Sequence, residues 1–533
     1  MSFVGYFVLC IYTLALLYIT IYCVMQFSLL YHYKKAEKAG GDSSSKRRQP
    51  KSQALSQKVK GRMALADSGY EEADFEEVSG DFDEDEQSDL PFVTVQLPIF
   101  NEKYVIERLI DAVADFDYPK SRYEIHILDD STDETVEIVR KRVAYYKRKG
   151  YQIEQIIRKE RKGFKAGALK DAMPHARGEF IAIFDADFLP RRDFLRETVP
   201  YFEDEKVAVV QTRWEHINED YSLITKLQAL QLNVHFTIEQ KGRMAGNYLL
   251  QFNGTAGLWR REAIEDAGGW EADTLTEDLD LSYRAQLKGW KIRFLEHIGS
   301  PAELPAEMNS LKSQQFRWMK GGAETAKKML PTIWRSSLSF FQKMQASMHL
   351  LGSTVFVFVF IAGLFSVPLL FFLSDLIAMG FDKDFFAYFM VGLLSIIAIY
   401  YVGNVQASHQ EESLGKSVLK FAFLFPMFLA LSMGLSLHNT VAVIQGYLGK
   451  KSPFVRTPKF NIKNVTDTFA KNQYVQRKIS WTTIIEGVLA VYFFAGVIGA
   501  FYVQNTTFMF YHLLLALGFG GIFVYTIRHL SLK

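Results

Sequence analysis

The stretch GEFIAIFDADF, residues 178–188, ends an apolar run on two carboxylates, Asp185 and Asp187, one residue apart. A short apolar run bounded by turn residues reads as a buried strand. Two aspartates at its end cannot both point into the sheet, but in a tight turn both can face one side. Like charges held that close repel unless a cation neutralises them. A divalent metal holding a diphosphate meets that need, because Mg2+ or Mn2+ takes carboxylate and phosphate oxygens together. Taken alone, a D-x-D pair also reads as a solvated turn or a helix cap.

Outward from this stretch the pattern recurs. VTVQL (93–97), YEIHIL (123–128), QIEQII (152–157) and VAVVQT (207–212) are further strand candidates. VIERLIDAVADF (105–116) and DETVEIVRKRVAYYKRKG (133–150) carry helical periodicity. Strands alternating with amphipathic helices predict a parallel sheet covered on both faces. Ligands of such sheets bind beyond the carboxyl ends of the strands. Polar residues gather there: Asn101 and Glu102, Asp129 and Asp130, Asp185 and Asp187.

The chain has 533 residues and a formal net charge of +2, a balance that gives no sign of a nucleic-acid partner. Its two cysteines, Cys10 and Cys23, can build neither a disulfide framework nor a zinc site. Residues 1–31 form a charge-poor block long enough to span a bilayer, without the basic start or small-residue cleavage site of a signal peptide. Lys34, Lys35, Lys38, Lys46, Arg47 and Arg48 follow, so this helix is expected to exit into the cytoplasm. Residues 32–90 run from basic and Ser-rich to acidic, the composition of a disordered linker. Residues 91–322 are expected to be a cytosolic α/β domain and residues 323–348 interfacial helices.

Residues 349–533 turn apolar again. Spans are expected at His349–Leu373, Phe385–Val402, Trp481–Val503 and Phe508–Tyr525. A further apolar block within 413–448 holds Pro426 and the polar cluster Ser436, His438, Asn439, Thr440. Four spans return the chain to the cytoplasm, where the basic loop GKKSPFVRTPKF (449–460) and the basic tail belong. The block is therefore expected to be an interfacial or re-entrant helix. Glu486 lies inside a span, where an ionisable group faces a bundle interior or wet cavity, or sits near the membrane surface. No regulatory domain is expected after the last span, so control by one would need another chain.

Other charged motifs join the aspartates. HILDDST (126–132) sets Asp129 and Asp130 at a neighbouring strand end, suited to a base or ribose. RKGFKAGALKDA (161–172) carries Lys162 and Lys165 in a glycine-containing loop opening a helix, as a phosphate-facing segment does. TLTEDLDL (274–281) sets Glu277 and Asp278 before an amphipathic helix, where an ordinary acidic N-terminus is the plainer reading. KSQQFRWMKGG (312–322) places Gln314, Arg317 and Trp318 on one helical surface, which a plain amphipathic helix also does.

The ordered series LDDS, KAG, DAD, TED and QQFRW resembles the processive family 2 glycosyltransferases: the cellulose, hyaluronan and plant-type mannan synthases. FNGTAGLWRREA (252–263) resembles their acceptor loop, and PFVRTPKF (453–460) their gating loop, with Arg456 departing from the small apolar residue found there. The resemblance implies a GT-A type α/β domain, a mixed, mostly parallel sheet, set between transmembrane helices. It also implies roles. Asp130 or its neighbour Asp129 contacts the nucleoside, and Lys165 lies near the phosphates. Asp185 and Asp187 hold Mg2+ or Mn2+ and the diphosphate, and Asp278, with Glu277 beside it, is the general base. Gln314 and Arg317 bind pyrophosphate. Trp318, Gly254 and Thr255 meet the acceptor, and Phe454, Thr457 and Lys459 form a gating loop over 452–462.

The expected function is a membrane-embedded, inverting, processive glycosyltransferase of the plasma membrane with a cytosolic catalytic domain. It would polymerise a β-linked polysaccharide and extrude it through the bundle, with the bilayer, the growing polymer and possible export subunits as partners. UDP-glucose is the favoured donor and GDP-mannose, for a (gluco)mannan synthase, the alternative. A single-addition transferase to a lipid such as ceramide and a non-enzymatic membrane scaffold are the other readings.

Overall fold

The computed structural model of the chain describes residues 3–41, 90–382, 384–407, 413–452, 459, 461 and 479–531. Most of the expected linker, together with Phe454 and Thr457, lies outside the described residues.

The helices and strands used below are, in chain order, α1 (Phe3–Gly41), β1 (Val93–Ile99), α2 (Ile106–Ala114), β2 (Tyr123–Asp129), α3 (Thr135–Arg148) and β3 (Ile153–Ile157). Then come α4 (Phe164–Ala172), β4 (Phe180–Ile183), β5 (Val207–His216), α5 (Leu223–Val234), β6 (Gly257–Arg260), α6 (Glu277–Leu287) and β7 (Lys291–Ala302). The rest is helical: α7 (Met308–Arg335), α8 (Phe340–Leu350), α9 (Val355–Ala378), α10 (Met390–Tyr401), α11 (Leu414–Gly434), α12 (Ser436–Tyr447), α13 (Trp481–Tyr502) and α14 (Met509–Ser531).

One seven-stranded sheet runs in the order β3-β2-β1-β4-β6-β5-β7. β1 to β4 pair in parallel, and so do β5 and β7. β6 lies antiparallel between β4 and β5. The sheet is mixed and mostly parallel, as the resemblance implies. β1, β2, β4 and β6 are buried on both faces, and β1, β2 and β4 read as short, mostly apolar runs. One face carries Val95, Leu97, Ile125, Ile127 and Ala182 against α2 and α3. The other carries Ile181, Ile183 and Val209 against Leu169, Trp259, Trp270 and Leu281. In register, Ile99 meets Asp129 and Gln96 meets Ile183, so the loops after β1, β2 and β4 emerge at one edge.

Two expected boundaries move. α1 does not stop at residue 31 but continues to Gly41. Its last turns dock on the α/β domain: Tyr33 is buried, Tyr248 Oη lies 3.2 Å from His32 Nε2, and Lys241 caps the Tyr33 ring. The expected boundary at residue 322 falls inside α7, one 28-residue helix. Glu307 caps its start, accepting from the Asn309 and Ser310 amides at 2.8 Å each.

Among the described residues six helices are long and apolar enough to cross a membrane: Phe3–Ala39, Phe340–Ala378, Phe385–Gln406, Leu414–Gly434, Trp481–Tyr502 and Met509–Leu530. α11 meets that measure, yet both its ends meet the α/β domain. Near its start Lys420 pairs with Glu219 at 3.7 Å, and Phe421, Leu424 and Phe428 cluster with Leu227 and Leu230 of α5. Just past its end Leu435 packs with Ile224, Met308 and Leu311. At about 1.5 Å per residue a spanning α11 would carry one end across the bilayer, away from these partners. The contacts favour a helix lying along the α/β domain. With Cys10 and Cys23 replaced by serine, cysteines at Ser413 and Lys451 should label from the same side of sealed vesicles. Labelling from opposite sides would make α11 a span.

Candidate functional site

The loops at the sheet edge enclose a cavity of about 170 Å³. Asp185 and Asp187 enter it from the turn after β4. That turn is tied to the segment after Phe252: the Asp185 amide donates to Thr255 Oγ1 at 2.9 Å, and the Ala256 amide to the Ile183 carbonyl at 2.8 Å. Lys165 reaches in from the first turn of α4, donating to Asp185 Oδ1 at 2.5 Å and to the Gly254 carbonyl at 2.8 Å. The KAG glycine lets this helix start fold tightly, since a Cβ on Gly167 would stand 2.0 Å from the Lys162 carbonyl oxygen. Lys459 donates to Asp187 Oδ2 at 2.6 Å and to the Glu303 carbonyl at 3.1 Å.

Glu277 and Asp278 open α6 on the same cavity. α7 fixes that opening. Gly321 packs against Thr276, where a Cβ would come within 2.5 Å, and Glu324 Oε2 accepts from the Leu275 amide at 2.9 Å. Gly254 fits against the pair: its φ is +80°, and a Cβ there would meet Asp278 Oδ2 at 2.8 Å. Burial and the neighbouring Glu277 push the Asp278 carboxyl up to about 7. Burial raises Glu277 as well. Burial alone would depress Lys165, but Asp185, Glu277 and Asp278 around it raise it, so it stays an ammonium. A carboxyl poised near neutrality in a cleft is suited to accept a proton.

Of the residues singled out in the sequence, Asp130, Lys165, Asp185, Asp187, Gly254, Glu277, Asp278, Gln314, Arg317, Trp318 and Lys459 all line this cavity. Asp129 and Thr255 do not. Asp129 is buried beneath it, accepting from the Ser131 amide at 2.8 Å and from Gln155 Nε2 at 2.7 Å. Thr255 is spent on the Asp185 amide.

Several residues escaped the sequence reading. Arg158 forks onto Asp130, with Nε to Oδ1 at 2.9 Å and Nη2 to Oδ2 at 2.5 Å. Arg161 stacks its guanidinium on Phe100 at 3.4 Å and lines the cavity. The basic run RKERKG held the only hint of either. Glu303 takes Arg108 at 3.2 Å and the Asn461 amide at 3.1 Å. Asn253, next to Gly254, is gripped by His235 Nε2 at 2.9 Å and Gln251 Nε2 at 2.8 Å. His235 sits in a π-turn at the end of α5, with Nδ1 on Glu239 at 2.8 Å.

The carboxylate oxygens of Asp185 and Asp187 are hard donors of the kind Mg2+ and Mn2+ take, and they border a cavity that admits a phosphate, so they fit such an ion. A second acidic cluster, Glu271, Asp273 and Asp280, also has metal-like spacing. There the Lys328 ammonium already stands among all three carboxylates, at 2.6, 2.9 and 3.0 Å.

Residues 91–321 match the family model described as Glycosyltransferase like family 2. Glucomannan 4-beta-mannosyltransferase 1 of Oryza sativa subsp. japonica is 43% identical over 254 residues, 47% of this chain and 49% of that protein. Glucomannan 4-beta-mannosyltransferase 7 of Arabidopsis thaliana is 43% identical over 251 residues, 46% of this chain and 45% of that protein. The matches thus span about half the length of these curated relatives. A solved mannosyltransferase of Pyrobaculum calidifontis, in complex with GDP-Man and Mn2+, aligns with 82% of this chain and 100% of its own at a TM-score of 0.45 and 17% identity, too distant to carry an argument. The sheet and its charged edge lie within residues 91–321, the part of the chain that is similar to the family 2 glycosyltransferases.

Proposed function

We propose that the protein is a multi-pass, inverting, processive glycosyltransferase that builds a β-linked mannan or glucomannan from a nucleotide sugar. The observation that carries the reading is the meeting of Asp278, Lys165 and the Asp185–Asp187 turn in one cavity walled by α7. The sequence reading favoured UDP-glucose. The relatives named glucomannan 4-beta-mannosyltransferases support the alternative, a mannosyl donor such as GDP-mannose, better than UDP-glucose.

Asp278 accepts the proton of the acceptor hydroxyl as that oxygen attacks the anomeric carbon. Asp185 and Asp187 would hold the divalent ion, which supplies positive charge to the diphosphate when bound. Arg317 and Lys165 stabilise the charge growing on the leaving group. Arg317 presents a planar fork that can grip two phosphate oxygens. Trp318, its neighbour on α7, offers a flat face to the acceptor sugar. No nucleophile–base pair is seen among the described cavity residues, so one displacement inverts the anomeric centre, and an α-linked donor gives a β-linkage. The α7 wall stands against the apolar helices, so a growing chain has the bundle beside it.

Membranes holding the protein, offered GDP-mannose, UDP-glucose and mixtures, should release GDP and make polymer from GDP-mannose, with all turnover lost in excess chelator. Release of UDP alone, short glycolipid products, or full turnover in chelator would each defeat a part of this reading. The raised Asp278 carboxyl sets the sign of the pH response. Below about 7 it is protonated and cannot act as base, so kcat should rise as pH passes upward through about 7. Asp278→Asn should lower turnover roughly 10²–10⁴-fold and remove that acid limb while donor binding is kept. Gly254→Ala should cost roughly 10²-fold by pushing Asp278 aside, and should also lower the unfolding midpoint, because alanine is strained at a φ of +80°. An unaltered rate would mean that Asp278 need not stand where it does.

A further inference from the structure

Arg158 follows β3 and is not among the residues that line the cavity at the sheet edge, but Asp130 and Lys165 are. It acts on the surroundings of both. Its side chain is 9% exposed, and each of its five N–H groups has an acceptor. Nε and Nη2 donate to the two oxygens of Asp130 at 2.9 and 2.5 Å. Nη1 donates to the Lys162 carbonyl at 2.9 Å and to Asp171 Oδ2, on α4, at 3.0 Å. Nη2 also donates to the Phe164 carbonyl at 3.0 Å.

The two carbonyls flank a tight turn. Gly163 has a φ of +74° and Phe164 a φ of +50°. Glycine takes that region freely, but it is sterically costly for phenylalanine. Such a conformation persists where its surroundings over-determine it. Here one guanidinium is bonded to the carbonyls on both sides of the pair. Gly167 makes the room, since a Cβ there would stand 2.8 Å from Arg158 Nη1. Lys165 is the next residue after the turn, and its ammonium meets Asp185 and the Gly254 carbonyl. A change in the Phe164 backbone would carry Lys165 with it.

We infer that Arg158 is a positioning residue that sets Lys165 relative to Asp130. On the nucleotide-sugar reading above, on which this assignment rests, Asp130 meets the nucleoside and Lys165 the diphosphate, and one planar group fixes the distance between them. The base that the nucleotide carries makes no difference, because Arg158 touches only protein groups. Lysine cannot take its place. An ammonium is a point charge that can stay with Asp130 but cannot also hold two carbonyls in the plane of a fork.

The test compares variants of the purified full chain in detergent by thermal unfolding, calorimetric binding of GDP and turnover of GDP-mannose. Arg158→Lys should fold, bind GDP several-fold more weakly and turn over roughly 10²-fold more slowly, because Lys165 is misplaced. Phe164→Gly in that background should restore part of kcat, since glycine takes the left-handed turn without help from Arg158. A residue needed only for stability would shift the unfolding midpoint and show no such rescue. Wild-type kcat in Arg158→Lys, or a loss that Phe164→Gly leaves unrelieved, would overturn the assignment. Should Arg158→Lys fail to fold, Gly163→Ala strains the same turn, at a φ of +74° and with its Cβ 2.9 Å from the Ala272 Cβ, and an unchanged kcat there overturns the assignment alone. A wild-type chain that binds UDP and not GDP defeats the donor reading above, and the same comparison is then made with UDP and UDP-glucose.

Discussion

The cavity at the sheet edge depends on one ammonium group. Lys165 touches Asp185 and the Gly254 carbonyl, and its charge is felt by Glu277 and Asp278. Without a cation there, three carboxylates from two separate elements would repel one another. Much of the local backbone serves this placement. Gly167 lets α4 begin tightly enough to aim Lys165, Gly254 lets its loop pass beside Asp278, and Thr255 ties that loop to the turn after β4. The raised Asp278 carboxyl is the other side of the same arrangement: burial and Glu277 outweigh the help that Lys165 gives.

α7 carries the site's position into the membrane half. Lys312, two residues before Gln314, donates to Glu486 of α13 at 2.6 Å, and both are buried. His438 of α12 lies 3.0 Å from the Lys312 carbonyl, and His529 of α14 accepts from the Met308 amide at 3.1 Å. Gly446 lets α12 approach the α7 backbone, where a Cβ would stand 2.7 Å from the Lys320 carbonyl. The sequence left Glu486 between a channel wall and the membrane surface. It is buried, as the counter-ion of the helix that bears Arg317 and Trp318. A buried ion pair adds little net stability, but removing either partner strands a charge. It therefore fixes register more than it adds strength. Gln314, Arg317 and Trp318 follow Lys312 within two helical turns, so a shift of α13 is passed to the cavity wall.

The strands around the DADF turn were legible because buried parallel strands are continuous apolar runs between turn residues. β6 was not: GLWR is four residues long and sits inside a stretch read as a loop, so periodicity had nothing to act on. β7 begins Lys-Ile-Arg-Phe and takes its partner β5 across a break, which blurs its alternation. The residues that converge on the cavity were legible as motifs, but which neighbour of a pair faces inward was not. Asp129 and Asp130 differ only in that the first ends β2 in register with Ile99, and so is turned under the loop. Arg158 and Arg161 were invisible for a similar reason. In a basic run every residue looks solvated until a fold brings Asp130 and Phe100 to it. The end of α1 was misjudged because charge marks where a membrane stops, not where a helix does.

The two acidic clusters separate a structural feature from a working site. Glu271, Asp273 and Asp280 have metal-like spacing, but their cation, Lys328, is fixed on the long helix α7 and meets all three. That charge is internal and permanent, and it serves to hold α6 against α7. Asp185 and Asp187 are neutralised differently. Lys165 comes from the start of α4, while Lys459 comes from a residue in no helix or strand, 272 positions along the chain from Asp187. A cation on a separate segment can be exchanged for another without unfolding the sheet edge. On the reading proposed above, Asp185 and Asp187 would hold a divalent ion, Lys459 being the cation Asp187 would give up, while Lys165 keeps the remaining carboxylates apart. The DADF turn is then a place where charge is handed over, and Lys328 marks a place where it is not.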